Sequence, residues 1–367
     1  MRNATLPELH QNLLEWHGAR RDVIAPSAMI SMEGTNLLLD GEPVLTDEGV
    51  TTSRLAHTTW DTFDNGVSDK LGIPRAYLRR MKQQLPSLYA ENINSWLAQD
   101  ERKFLVRTLT QDPTGGVEGP VARALLTDSY RIIDNYDVLF ASLDGIKQAG
   151  LTPRISGDLS QSRMVVRVVA EEISALAPAL LAGYRSPFSG QTGDENPTVF
   201  AGFVLTNSEV GQGAFTLTPR LVVQVCDNGM TITKDAARSI HLGSKMDEGV
   251  VRWSSETQEK NLALVTAQTR DAVKTFLDKN YMVRTIQRLE AEAGREVTDI
   301  QKSVETLGKK LAYNEAMQKD ILNYFIDGGQ RTAGGLMQAV TAAAQHQDTD
   351  EAWLMESTAV QAMSLAV

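Results

Sequence analysis

The run SRMVVRVVA at residues 162–170 decides the fold class, because charged and apolar side chains alternate along it with the period of a β-strand. Arg163 and Arg167 share one face, and a stripe of Met164, Val166 and Val168 faces the other way. Five similar runs surround it: KFLVRTL (103–109), VARALLTD (121–128), LTPRISGD (151–158), TVFAGFVLTNS (198–208) and AFTLTPRLVVQVC (214–226). One helical pattern, at residues 137–148, interrupts the series. Residues 101–250 therefore predict a mostly antiparallel sheet.

The chain on either side of this sheet reads mainly as helix. Residues 1–100 predict a helix over 6–17, a hairpin turning at Asp40-Gly41, a helix from Thr46 to Trp60, and a helix-turn-helix-like segment with its turn at 72–74. Residues 251–367 predict a long helical region with an acidic tail. The expected fold is α+β, with the sheet in the middle, N-terminal helices before it and helices after it.

Composition restricts the possible functions. The net charge of −10 argues against attraction of the whole surface to nucleic acid or anionic lipid, so only a local basic patch could serve. A single cysteine, Cys226, and five scattered histidines argue against a metal site. We expect no cofactor. No run of about 18 apolar residues or signal-peptide pattern occurs, which predicts a cytoplasmic protein without membrane contact.

Enzymatic readings lack their usual signatures. No phosphate-binding loop, nucleophile elbow or dinucleotide fingerprint occurs in the sequence, and Cys226 lies in an apolar strand run. We therefore expect a protein that is not an enzyme and has no catalytic residues.

Basic side chains on the predicted strands are the first candidate binding site. If the strands are neighbours, one solvated face carries a cationic sheet set of Lys103, Arg107, Arg123, Arg163 and Arg167. Such a face fits a phosphate backbone. Two places where an aromatic and an arginine adjoin, Tyr130 with Arg131 and Tyr184 with Arg185, could add stacking on bases. The alternative is that these cations only protect a solvated strand face from aggregation.

The helix after the turn at 72–74 is a second basic candidate. From residue 66 to 85 the sequence has five basic residues and one acidic residue, and four of the basic ones lie on this helix: Arg75, Arg79, Arg80 and Lys82. The pattern is typical of a module that contacts a nucleic-acid backbone or groove. A helical hairpin that merely packs through Leu78 and Met81 is the alternative.

Several blocks resemble a known family. They are LGIPRAYLRRM (71–81), NINSWL (92–97), TDSYRIIDNYDVL (127–139), VFAGFVLTNSEVGQGAFTLTPRLVVQVCDNGM (199–230) and GGQRTAGGLMQAVTAAAQ (328–345). In this order they resemble the domain-of-unknown-function family number 932 of phage and plasmid proteins. The pattern of basic sheet and helices is also similar to that of phage single-strand annealing proteins.

These resemblances imply a phage- or plasmid-encoded protein that binds or anneals single-stranded DNA as a homo-oligomer in recombination. The helices of residues 254–326, which end in the apolar run Ile321–Ile326, would supply contacts between copies. The alternative is a non-enzymatic interaction protein that inhibits or redirects a host protein.

Overall fold

The computed structural model describes the backbone of residues 1–46, 49–130, 132–148, 150–227, 229–239 and 255–367. Side chains are described for these residues outside 40–54, 238–239, 255, 258 and 261. Two mostly antiparallel sheets and a C-terminal helical region form an α+β fold, so the predicted fold class is confirmed. Within the described residues, no helix has the length and apolar character needed to cross a membrane.

The described strands are β1 (Ala4–Thr5), β2 (Arg20–Pro26), β3 (Ile30–Glu33), β4 (Asn36–Thr46), β5 (Gly49–Thr59), β6 (Lys103–Leu109), β7 (Val121–Thr127), β8 (Arg154–Leu159), β9 (Met164–Leu176), β10 (Thr198–Asn207), β11 (Phe215–Val223), β12 (Gly229–Thr231) and β13 (Ala237–Ser239). The described α-helices are α1 (Leu6–Ala19), α2 (Asp61–Leu71), α3 (Arg75–Gln84), α4 (Pro86–Leu97), α5 (Asn135–Gln148), α6 (Pro178–Leu181), α7 (Ser255–Phe276), α8 (Lys279–Ala293), α9 (Ile300–Leu311), α10 (Glu315–Gly328), α11 (Ala333–Ala344) and α12 (Thr349–Leu365).

The first sheet has six strands in the order β2-β6-β7-β5-β4-β3. Its neighbours are antiparallel except for β5 and β7, which are parallel. It takes strands from both sides of residue 100, the predicted end of the first region. Helices α2, α3 and α4 pack on one face over a core that includes Phe63, Leu78, Ile93 and Phe104.

Two local predictions in this sheet are wrong. The segment from Thr46 to Trp60 was expected to be helical, but Gly49–Thr59 is strand β5. Four threonines in TTSRLAHTT favour extended backbone, and this preference outweighs the capping signal of Thr46. Asp40-Gly41 does not turn either, because it lies inside β4, where the register with β5 shifts between Asp40 and Pro43. The pair marks a bulge, which glycine also favours.

The second sheet has seven strands, with the path β1-β8-β9-β10-β11-β12 and β13 paired to β11. All six predicted runs between residues 103 and 226 contain strands, but they divide between the two sheets. The β8–β9 hairpin turns at Ser160–Arg163, where the Ser160 N–H donates to the Arg163 oxygen at 2.9 Å. The apolar stripe of Met164, Val166 and Val168 is buried, as predicted.

The largest core lies around the seven-stranded sheet and joins it to α1, α5 and the C-terminal helices. Helix α11 runs through this core, and every one of its residues is buried. Its sequence, AGGLMQAVTAAA, is rich in small side chains, which lets neighbouring helices approach closely. The C-terminal helices thus complete the core of the second sheet.

Helix α2 approaches strand β7 so closely that it requires a glycine. A Cβ atom at Gly66 would lie 2.5 Å from the backbone oxygen of Leu125. We predict that Gly66→Ala lowers the free energy of unfolding by about 1–3 kcal/mol because the helix must move away from the sheet. Gly18→Ala is the matched control, since Gly18 is also helical and has no atom within 4 Å of such a Cβ. It should leave stability unchanged or raise it by up to about 1 kcal/mol. Equal urea midpoints for the two variants would contradict this packing.

Candidate nucleic-acid interface

Two arginines of the cationic sheet set are buried, not solvated. Arg107 on β6 and Arg123 on β7 lie on adjacent strands, as the prediction required, but both side chains are almost fully inaccessible. Lys103, at the start of β6, is exposed. Alternation places Lys103 and Arg107 on the same face of β6. It could not show that another part of the chain covers that face.

The covering segment is the loop after β10. Here Glu209 is the centre of an inter-sheet cluster that consists of Asp22, Arg107, Arg123, Asp134 and Glu209. The Glu209 carboxylate forms an ion pair with Arg123 and accepts the Asn135 N–H at 2.6 Å. Arg107 donates to the Glu209 backbone oxygen at 2.9 Å and bonds Asp22 and Asp134 at 2.8 and 2.7 Å.

The electrostatics of this cluster favour its charged form. Burial alone would raise the pKa of Glu209, but Arg123 and Arg107 outweigh it, so the pKa lies below its usual range. Burial lowers the pKa of Arg123, opposed mainly by Glu209. A buried pair of this kind is costly to break, because the partner that remains is an uncompensated charge.

The other two arginines of the set lie on the second sheet. Arg167 is buried on β9 and bonds Asp158 at 2.7 Å and Glu356 of α12 at 3.0 Å. Burial would lower the pKa of Arg167, but the two carboxylates raise it overall. Arg163, which precedes β9, is half-buried and pairs with Asp350 at 2.9 Å. The expectation that all five cations line one solvated face is therefore wrong.

The predicted aromatic positions are also largely internal. Tyr184 is buried and packs against Gly328, while Arg185 is exposed and its Nε donates to the Gly190 oxygen at 3.2 Å. Burial raises the pKa of Tyr130 to about 12, and its hydroxyl donates to the Ser208 oxygen at 3.3 Å. Arg131 lies outside the described residues. Tyr130 instead lies close to Arg107 and Arg123 of the inter-sheet cluster.

The predicted basic helix, in contrast, is largely exposed. Leu78 and Met81 of α3 face the core, while the side chains of Arg75 and Arg79 are 56% and 65% exposed and Arg80 is also exposed. Arg75 pairs with Asp69 at 2.9 Å and Arg79 lies 3.9 Å from Asp61. Solvent-exposed pairs of this kind contribute only about 0–1 kcal/mol, so a phosphate can compete for either arginine.

Lys82 is the exception on this helix. Its ammonium is 2.7 Å from Asp64 and also donates to the Thr59 oxygen at 2.9 Å. Tyr89 donates to the other oxygen of the same carboxylate at 2.5 Å. Burial raises the pKa of Asp64, and Lys82 opposes that shift. Lys82 therefore anchors α3 to its neighbours and is not available to a ligand.

An open groove lies between the end of α2 and the segment that follows α4, and the sequence pattern did not indicate it. It has a volume of about 450 Å³ and is lined by Lys70, Leu71, Trp96, Gln99, Asp100, Glu101 and Arg102. Trp96 is 50% exposed, since the buried face of α4 is set by Tyr89, Ile93 and Leu97. The position of Trp96 beside the apolar stripe of α4 is the sequence feature that could have indicated this groove. Arg102 donates to the Lys70 oxygen at 2.9 Å, which connects the groove to the segment before α3.

Other kinds of site find little support. In the described part of the chain, no group of three or more histidine, cysteine or acidic side chains is placed to hold a metal. Cys226 is buried. The apolar run Ile321–Ile326 is only partly internal: Ile321 and Phe325 are buried, while Ile326 is exposed.

Comparison of the chain with family models, curated proteins and solved structures gives no match. The resemblances seen in the sequence therefore remain expectations. Any function has to be argued from the geometry of the chain itself.

Glu209 provides a direct test of the inter-sheet cluster. We predict that Glu209→Gln lowers the free energy of unfolding by about 3–5 kcal/mol, because Arg123 is left buried without its counter-charge. The control is Glu171→Gln, which removes an exposed carboxylate 3.0 Å from Arg154 and should cost at most about 1 kcal/mol. Urea unfolding measures both. Similar losses in the two variants would show that Glu209 is no more than a surface partner.

The stability difference between wild type and Glu209→Gln should also depend on pH. The folded pKa of Glu209 is lowered, so its stabilising effect is complete above the unfolded value of about 4.3 and is lost as the pH falls through the folded value. We expect the stability difference between wild type and Glu209→Gln to be constant above about pH 5.5 and to shrink at lower pH. Unfolding curves measured across this range test it, and a difference that grows on acidification would contradict the assignment.

Proposed function

We propose that the chain binds single-stranded DNA through a helix-and-groove surface, defined as Lys70, Arg75, Arg79, Arg80, Trp96 and Arg102. The observation that carries the proposal is the orientation of α3, whose three arginines face solvent while its apolar residues pack inward. In a chain with a net charge of −10, such a face is a local site for phosphates.

The groove extends this surface and favours a single strand over a duplex. Trp96 offers a half-exposed ring on which an unpaired base can stack, and Lys70 and Arg102 place cations along the same groove. Arg102 pairs there with Asp100 at 2.5 Å, but its side chain is 55% exposed, so a phosphate can compete for it. Stacking of a base on an aromatic side chain contributes about 1–3 kcal/mol and tolerates any base. Bases in a duplex are already stacked and offer no free face to Trp96.

The buried arginines have no part in this proposal. Arg107, Arg123 and Arg167 are neutralised inside the protein, so releasing them to DNA would leave their carboxylate partners uncompensated. Binding as an oligomer in recombination remains part of the proposal, because annealing requires many copies of the surface along a strand. The resemblance to phage annealing proteins gives the biological setting.

We predict that changing Arg75, Arg79 and Arg80 together to glutamine weakens binding of a labelled single-stranded oligonucleotide. The slope of log affinity against log salt should decrease by about 2, since each phosphate contact contributes about 0.7 for single strands. The matched control changes Arg270, Arg284 and Arg288 to glutamine, which removes the same charge from exposed and half-exposed positions on α7 and α8. Equal effects in both variants would mean that only net charge matters.

Trp96→Ala tests the groove separately from the charges. Its expected effect is a loss of single-strand affinity by about fivefold to a hundredfold with an unchanged salt slope. Phe140→Ala, at another exposed ring, is the control. If the wild-type protein binds no oligonucleotide even at low salt, the proposal is contradicted.

A second candidate is an interaction protein that acts on a host protein. The observation in its favour is a set of exposed apolar side chains on and beside α4, namely Leu85, Leu88 and Trp96. A host protein retained in stoichiometric amounts after nuclease treatment, and lost on changing Leu85 and Leu88 to lysine, would favour this candidate over DNA binding.

A further inference from the structure

The six-stranded sheet has two edge strands, β3 and β2. They differ in whether their outward backbone groups are already hydrogen-bonded. At β3 the edge is closed by α4. The Asn94 side chain accepts the Met32 N–H at 2.7 Å and donates to the Met32 oxygen at 2.9 Å. This amide replaces the strand that would otherwise pair there, so the β3 edge cannot be extended at Met32.

At the β2 edge, a short stretch has outward backbone N–H and C=O groups that are unpaired among the described residues. We term this stretch the open frame. Bonds from the Thr110 N–H to the Ala19 oxygen (2.8 Å) and from the Ser27 N–H to the Arg102 oxygen (3.0 Å) fix which residues bond to β6. By alternation, the backbone groups of Asp22 and Ile24 point away from the sheet. Among the described residues these groups have no hydrogen-bond partner.

The two ends of this frame are blocked. The Arg20 N–H donates to the His17 oxygen, and the Arg20 oxygen accepts from the Arg21 side chain at 2.6 Å. Pro26 has no N–H to donate. The open frame is therefore limited to Asp22 and Ile24, with Val23 between them.

Arg20, Arg21 and Asp22 place charge on the first half of this edge, but the next two side chains are apolar. Val23 and Ile24 are each 42% exposed, on opposite faces of the strand. Val23 pairs with Val106, which belongs to the core beneath the helices, and Ile24 pairs with Leu105, which packs under the loop after β10. Both faces of the sheet thus continue to the edge as apolar surface.

We propose that β2 pairs antiparallel with β2 of a second copy of this chain, with the twofold axis at Val23. In this register Asp22 of each copy lies opposite Ile24 of the other, and every open N–H meets an open C=O. The two Val23 side chains meet at the axis on one face. The two six-stranded sheets then join into one continuous sheet, which is a closed, isologous arrangement.

The open frame favours the register centred on Val23 over the registers centred on Asp22 and on Ile24. Pairing centred on Asp22 would place two carboxylates opposite each other and meet the occupied backbone of Arg20. Pairing centred on Ile24 would put Asp22 opposite Pro26, which cannot donate a hydrogen bond. In the register centred on Val23 the blocked ends, Arg20 and Pro26, lie opposite each other, so the open groups of one copy match those of a second copy as the occupant.

This pairing rests on the edge geometry and not on DNA binding. It would supply one contact of the oligomer in the proposed function. Neither Val23 nor Ile24 belongs to the helix-and-groove surface, so the two proposals fail or succeed separately.

The test is light scattering coupled to size exclusion over a series of protein concentrations. Wild type should approach twice the protomer mass as the concentration rises. Val23→Lys places two ammonium groups together at the axis, and Ile24→Pro removes an outward N–H without breaking a bond to β6. Both variants should stay at the protomer mass. The control is Leu55→Lys, which also introduces a lysine at an exposed apolar residue, here on β5. It should behave as wild type.

Circular dichroism establishes that each variant is folded, and oligonucleotide affinity is measured on the same samples. A wild type that stays at the protomer mass at every concentration overturns the proposal. So does a dimer that persists in both Val23→Lys and Ile24→Pro, since its interface must then lie elsewhere. Loss of the dimer in these two variants alone supports the pairing, whether or not the protein binds DNA.

Discussion

The carboxylate of Glu209 is the contact on which the arrangement of the two sheets depends. It sits in the loop between β10 and β11 of the second sheet, yet its ion pair is with Arg123 on β7 of the first. The same residue accepts the Asn135 N–H at the start of α5. A charge removed from water must find its partners inside the protein, so the loop, the helix and the first sheet are held in one arrangement.

The pairing of buried charges inside the protein determines which basic surfaces remain able to bind a ligand. The arginines of the cationic sheet set are neutralised by acidic groups from other parts of the chain, such as Asp134 and Glu356. The cations of α3, in contrast, stay in water, and their neighbouring carboxylates are themselves solvated. Solvated pairs exchange partners easily and buried pairs do not. The candidate binding surface is therefore helical, although the most regular basic pattern in the sequence is on strands.

Much of the fold could be predicted from periodicity alone, including the strands from β6 to β11 and the basic helix α3. Alternation in SRMVVRVVA identifies two faces, but each face of a strand can be covered by a distant segment. Nothing local to Arg107 signals that Glu209, about a hundred residues away, will cover it. The helix expected at Thr46–Trp60 failed because a capping signal was given more weight than a run of β-branched residues. Trp96 was visible only as a tryptophan off the apolar stripe of α4.

Arg123 and Glu209 act together to hold the two sheets in one arrangement. A double-mutant cycle with Arg123→Met, Glu209→Gln and the combined variant, followed by urea unfolding, measures their coupling directly. The account predicts that the combined variant is much less destabilised than the two single losses added together, with a coupling free energy of about 2–3 kcal/mol. Losses that add to within about 0.5 kcal/mol would contradict it, because independent residues behave in that way.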